Sequence, residues 1–299
     1  MRLSVVVAAQ EGGERLAQCL RALAGQLPPE EMEVLVVLAC GGDDASQDTI
    51  EKLGTEFAQM RFLRRNAPVN VPLLWTAGID AANGEIVALT IENCRPAADW
   101  GPRLLAAHCG DSDCVGGAIE PDPRGRLMDW AIYFCRYTAY MLPFRRQLRD
   151  DVAADNCSYK REALAAVRPL AENGFWEALI HEDMRKRGGR IMADPTPAVT
   201  WSGGISGWKF LRRRYDHGRY FAARRALDLS GSQRTIRAIA FPAVPLVLLN
   251  RMAGRVRARG RFRLKFAICV PLIVCFLAAW AFGEGAGYLL GYSGEGPGQ

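Results

Sequence analysis

The residues best suited to chemistry stand at the end of one apolar run. Ile86-Val87-Ala88-Leu89-Thr90-Ile91 reads as a buried strand and gives way to Glu92-Asn93, with Pro96, Asp99 and Trp100 just beyond. Open α/β sheets place their ligands at such carboxyl-terminal strand ends. Glu92 offers a carboxylate and Asn93 an amide oxygen, the hard donors that Mg²⁺ and Mn²⁺ prefer. A second cluster lies at 177–184. On a helix, Glu177, His181 and Met184 share one face by i, i+4 and i+7 spacing, whereas Glu182 and Asp183 point elsewhere. A carboxylate in a ligand cleft can take the proton of an attacking hydroxyl, and a neighbouring imidazole can orient it.

These residues need a frame. Residues 3–9 form a β-branched run that predicts a buried strand, and 14–23 carries Leu16, Cys19, Leu20 and Leu23 at helical spacing. Strands are expected at 33–39, 60–63, 86–91 and 114–119, and helices at 44–57, 73–82 and 101–109, with Ser46 as an N-cap. Strands alternating with helices imply an α/β fold with a mostly parallel sheet flanked by helices. Residues 155–162 lead into a helix reaching Val167, and 175–187 form another that Gly188-Gly189 ends. Two short strands are expected at 190–193 and 198–201.

Beyond about residue 207 the character changes. Residues 208–225 are basic and aromatic, and 236–249 are apolar but interrupted by Pro242 and Pro245. Seven bases and no acid lie between Arg251 and Lys265, and the 17 residues 266–282 carry no charge. With the weakly apolar residues that follow, this run approaches the length needed to cross a bilayer. The basic run before it is then cytoplasmic by the positive-inside rule. Residues 236–249 fit a Pro-bent interfacial helix, with Arg224, Arg225 and the basic run gripping anionic membrane lipids. The apolar neighbour explains the basic run better than nucleic acid does, so no nucleic-acid partner is expected.

The 299 residues, 49% hydrophobic, suffice for a packed core and exceed one small domain. The nine cysteines contain no CxxC pair, which argues against a zinc cage or a disulfide framework and for reduced thiols facing the cytosol. The first residues start a strand almost at once, with no apolar leader pattern. The turn Gln10-Glu11-Gly12-Gly13-Glu14 lacks the GxGxxG of a dinucleotide-binding oxidoreductase.

The order and spacing of several pieces resemble the GT-A, family 2 type of glycosyltransferase over residues 3–225. The pieces are Ser4–Ala9 with Glu14-Arg15-Leu16, Glu33–Val37, Gly78-Ile79, Ala82-Asn83-Gly84-Glu85 with the strand at 86–91, and Val115-Gly116-Gly117 with Asn156. The resemblance implies a nucleotide-diphospho-sugar transferase fold, Rossmann-like, at 1–225. Residues 226–299 are then membrane-associated: an interfacial helix at 236–249, a basic cytoplasmic segment at 251–265 and a transmembrane helix at about 266–290. It implies a nucleotide-sugar donor, a lipid-linked or glycan acceptor, and inversion by a single displacement. The aromatic stretch 130–140 would help form the acceptor wall.

By the same resemblance, Glu177 takes the place of the catalytic base, with His181 beside it and Glu182 or Asp183 as alternatives. Glu92 and Asn93 take the metal station, where the family's acids are depleted because Ile91 stands for one of them. Ala8, Glu11, Asp43, Glu92, Asn156 and Arg212 fall at donor-binding stations. The processive Gln-any-any-Arg-Trp motif is absent near Arg212-Arg213-Arg214-Tyr215, which favours transfer of a single sugar. The location implied is the cytoplasmic face of a bacterial inner membrane. A second reading is a non-catalytic membrane scaffold or sugar-binding subunit that kept the fold and lost the metal site.

Overall fold

The computed structural model describes residues 1–40, 51–66, 69–227 and 229–292. The expected N-cap Ser46, most of the helix expected at 44–57 and the donor-site candidate Asp43 lie outside the described residues; 51–56 is helical. The chain divides into two compact units. One comprises 1–120 and 140–202, the other 121–139 and 203–299.

Among the described residues, nine strands form one sheet. They are β1 (Leu3–Ala9), β2 (Met32–Cys40), β3 (Arg61–Asn66), β4 (Ile86–Ile91), β5 (Cys94–Pro96), β6 (Cys114–Pro121), β7 (Gln147–Leu148), β8 (Asn156–Lys160) and β9 (Ile191–Trp201). The order is β3-β2-β1-β4-β8-β6-β9-β5, with β7 paired to β9. The first four strands run parallel. All seven residues of β1 are buried, the continuous apolar run of a central parallel strand. Helix α1 (Gly13–Leu23) turns Leu16, Cys19, Leu20 and Leu23 inward. Helix α2 (Val71–Ala81) starts at Asn70, whose side chain accepts the Leu73 amide. It lies so close to β1 that a Cβ on Gly78 would come within 2.2 Å of a Val6 methyl.

The other half of the sheet departs from the sequence expectation. Residues 156–160, read as the approach to a helix, are strand β8, antiparallel to both β4 and β6. Helix α5 (Arg161–Val167) follows it directly. The two short strands expected around Pro195 and Pro197 are one strand, β9. Asp194 carries the chain through its prolines by accepting the Thr196 amide and hydroxyl at 2.8 and 2.6 Å. Helices α3 (Trp100–Ala107) and α6 (Glu177–Lys186) complete the elements that bear on the site.

The second unit is helical. It holds α4 (Leu127–Tyr137), α7 (Gly207–Ala226), α8 (Gly231–Ile239), α9 (Val244–Arg259) and α10 (Arg263–Leu290). The rings of α4 pack on one another and on the start of α10: Trp130 lies 4.9 Å from Phe262, and Phe134 lies 5.1 Å from Phe266. Helix α10 is the candidate membrane helix, long and apolar enough to cross a bilayer by length and composition. The segments 231–239 and 241–259 meet at a bend of 43°, where the sequence predicted a Pro-bent helix.

Candidate active site

The strand order reverses at β1. From it the chain steps outward to β2 and β3, then returns to place β4 on the other side. A crevice outside the carboxyl ends of β1 and β4 is the ligand position of such sheets. Register brings Ala8 beside Ile91, and the Glu92 amide donates to the Ala8 carbonyl at 3.0 Å.

Glu92 ties the two loops together. Its carboxylate accepts the backbone N–H groups of Gln10 at 2.8 Å, Glu11 at 3.0 Å and Gly12 at 2.6 Å. The turn that aims these three amides at one point needs positive φ at Gly12 and Gly13, which glycine adopts without strain. The carboxylate is 7% exposed. Burial pushes its pKa up from the ordinary carboxylate range, and the three amide bonds pull against that shift. Glu92 thus shapes the loop between β1 and α1 from the neighbouring strand end.

Glu177 is the first residue of α6, half-buried, where the helix dipole favours an anion. Its charge is felt on β8, the neighbour of β4. Burial raises the pKa of Cys157 and Tyr159, and the Glu177 charge adds to the shift of each. Glu182 and Asp183 instead pair with Lys186 and Arg187 one turn along the same helix.

His181 shares the helical face of Glu177 and turns inward. It is fully buried, with Nδ1 against Asp151 and Nε2 2.8 Å from the Tyr159 hydroxyl. Both ring nitrogens have partners within the protein, so His181 fixes α6 against β8. Asp151, which anchors it from 30 residues upstream, escaped the sequence reading; no local pattern marks it.

Asn156 is likewise held by partners within the protein. Its Nδ2 donates to the carbonyls of Ala118 at 2.8 Å and Pro197 at 3.0 Å, and its Oδ1 accepts the Trp100 indole N–H at 2.8 Å. Fully buried, it joins β8, β6, β9 and α3.

The model of the family described as glycosyl transferase family 2 matches residues 4–168, which include both strand ends and Asn156. The chain belongs to glycosyl transferase family 2. Solved structures agree on the fold, which at their low identities is all they show. A mannosyltransferase from Pyrobaculum calidifontis, in complex with GDP-Man and Mn²⁺, superposes with a TM-score of 0.58 at 13% identity, covering 95% of this chain and 86% of that one. Residues 1–349 of S. aureus TarS, in complex with UDP-GlcNAc, give 0.51 at 14%, covering 96% and 91%. GalNAc-T7 with UDP, GalNAc and Mn²⁺ gives 0.54 at 15% over 69% of this chain, which spans only 44% of the length of that protein. No curated protein sequence matches significantly.

Two of these transferases were solved with Mn²⁺. In this family 2 chain the described residues bring no ready-made cage for such an ion. Among them no three His, Cys, Asp or Glu side chains gather closely enough to hold a metal. Glu92, the expected ligand, already accepts three amides, and Asn93 brings no second carboxylate. The Asn93 carbonyl is taken by the Ser202 amide and hydroxyl at 2.8 and 3.0 Å.

The remaining donor-site candidates scatter. Ala8 is 1% exposed, and its carbonyl holds Glu92. Glu11 is exposed on the loop that Glu92 orders. Arg212 is exposed on α7 of the second unit.

Proposed function

We propose that the chain moves one sugar from a nucleotide-sugar donor to a lipid-linked or cell-envelope glycan acceptor, at the cytoplasmic face of a bacterial inner membrane. The observation that carries this reading is the family 2 match across a crevice whose two walls are stapled by Glu92. The acceptor hydroxyl oxygen attacks the anomeric carbon, and the bond to the diphosphate breaks with its electron pair on the leaving group. The configuration inverts in this single displacement. Glu177 takes the hydroxyl proton.

The leaving diphosphate gathers negative charge that must be balanced. With no cluster of three metal-ligating side chains among the described residues, we assign that task to a basic side chain. Arg95 is exposed, lies two residues beyond Asn93 and is the nearest base in sequence to the end of β4. The depletion of acids at the metal station, where Ile91 stands for one, is also what favours the second reading, a sugar-binding or scaffold subunit without turnover.

Calorimetric titration of a panel of nucleoside diphosphates, with Mn²⁺ and with chelator, separates these. Binding of one nucleotide that survives chelation is expected. Binding that requires Mn²⁺ overturns the metal-free account, and no binding in either condition favours the scaffold.

A further inference from the structure

The second unit carries an inference independent of the transferase reading. Helix α10 is not apolar and open on all sides. Phe266, Cys269, Ile273, Phe276, Leu277, Ala281, Gly283, Gly287 and Tyr288 are buried within the unit. One exposed stripe is left, and it runs the whole helix: Leu264, Ile268, Cys275, Phe282 and Leu289, spaced by four and then by sevens.

The buried face is held by α7, which runs parallel to the last turns of α10. The contacts march in step, from Phe210 with Phe276 (4.7 Å) through Arg214 over the Trp280 ring (4.2 Å) to Tyr220 with Tyr292 (5.5 Å). Small residues set the approach. A Cβ on Gly283 would fall 2.0 Å from the Tyr215 carbonyl oxygen, and one on Gly287 would fall 2.3 Å from that of Arg219. Arg225 donates to Glu284 at 2.8 Å, and Arg219 donates to the Gly291 carbonyl at 2.9 Å.

Yet α7 is a polar helix, with eight charged side chains in 20 residues. A helix that crosses a bilayer takes to membrane depth whatever is packed along it, and intramembrane charges are rare because they are expensive there. Helix α10 therefore cannot cross without either drawing α7 into hydrocarbon or tearing it away.

We propose that α10 lies in the plane of an anionic bilayer surface, its exposed stripe in the acyl boundary and α7 on the water side. Charge selects the lipid surface over a second copy. Arg263 and Lys265 occupy the first turn of α10, five arginines precede them from Arg251 onward, and no acid intervenes. Two parallel stripes meeting face to face would bring these like charges together and two antiparallel ones would leave them without counter-charges, whereas phosphatidylglycerol head groups neutralise them.

The test places markers on either side of α10 in the full-length chain. One is Arg263→Cys, the other a cysteine added after Gln299, each in a background with Cys109→Ser and Cys275→Ser. Sealed, oriented membrane vesicles are treated with a membrane-impermeant maleimide from one face. Both markers are expected to label from the same face. Labelling from opposite faces would overturn the proposal. The unaltered protein is a second readout. It is expected to co-sediment with preformed phosphatidylglycerol vesicles at least tenfold better than with phosphatidylcholine vesicles; equal or absent binding to both would also overturn it.

Discussion

The two units bury polar groups for opposite ends. In the first, acceptors face backbone amides and indoles: Glu92 gathers three N–H groups, and Asn156 links two carbonyls and an indole. In the second, guanidinium groups lie against a ring and a carboxylate, as Arg214 does on Trp280 and Arg225 on Glu284. The first pattern orders loops, because a carboxylate converging on several amides fixes their directions. The second joins helices, because a long amphipathic side chain covers apolar surface with its stem while its head meets a ring or a carboxylate. A site needs the first kind of rigidity; an element resting on a soft surface can use the second.

The largest effect expected is on turnover. Glu177→Gln keeps the helix terminus and removes the base, so transfer should fall by roughly 10²–10⁴-fold while nucleoside diphosphate binding changes little. A rate assay paired with calorimetry checks this. Unchanged turnover would remove Glu177 as the base and leave the ordered first unit without its chemical purpose.

Next is the acid response of the first unit. His108 is 8% exposed, its Nε2 lies 2.8 Å from the Ser158 hydroxyl, and burial pushes its pKa down to about 4. The native state holds the neutral imidazole, while the unfolded chain binds a proton below about 6.5. The stabilisation is therefore complete above pH 6.5 and lost as pH falls towards 4, by up to about 3 kcal/mol. Hydrogen exchange should show peptides from 1–120 losing protection over that range in the unaltered protein, and a flattened response in His108→Gln.

The third prediction strikes the second unit. Gly283→Leu forces a side chain into the Tyr215 backbone, an overpacking worth about 1–3 kcal/mol. Thermal unfolding followed on peptides from 203–292 should shift, while those from 1–120 stay as they were. A shift confined to the sheet would deny that α7 and α10 are held by close backbone approach.

How much of this was legible in the sequence divides along the same line. Strand β4 was read to the residue and β1 likewise, because uniform burial leaves an unbroken apolar run. Strand β8 was missed because Asn156 and Ser158 look like loop residues. They are buried only because Trp100, His108, Ala118 and Pro197 arrive from elsewhere in the chain to satisfy them. Glu92 stood out from its place at a strand end, but its three partners are amides, which every sequence has and none displays. Helical spacing put His181 on the face of Glu177; it could not show that Asp151 and Tyr159 draw the ring inward. In α10, composition revealed an apolar helix, while the stripe and the clasp of α7 depend on tertiary contact.

The smallest effect concerns the Arg225–Glu284 pair, and it tests whether charge or packing joins α7 to α10. The Glu284 side chain is 12% exposed and that of Arg225 49%, so solvent screens the pair from one side only. Removing one partner leaves the other half-buried and uncompensated, whereas replacing both by apolar residues removes the desolvation cost with the attraction. Glu284→Met should therefore destabilise the second unit by about 1 kcal/mol, and so should Arg225→Met, with the combined variant no worse than either. A double-mutant cycle in thermal unfolding measures the coupling. Additive losses would mean that each side chain acts alone through its stem, and the contrast with the carboxylate-ordered first unit would then rest on the glycine contacts and the stacked rings.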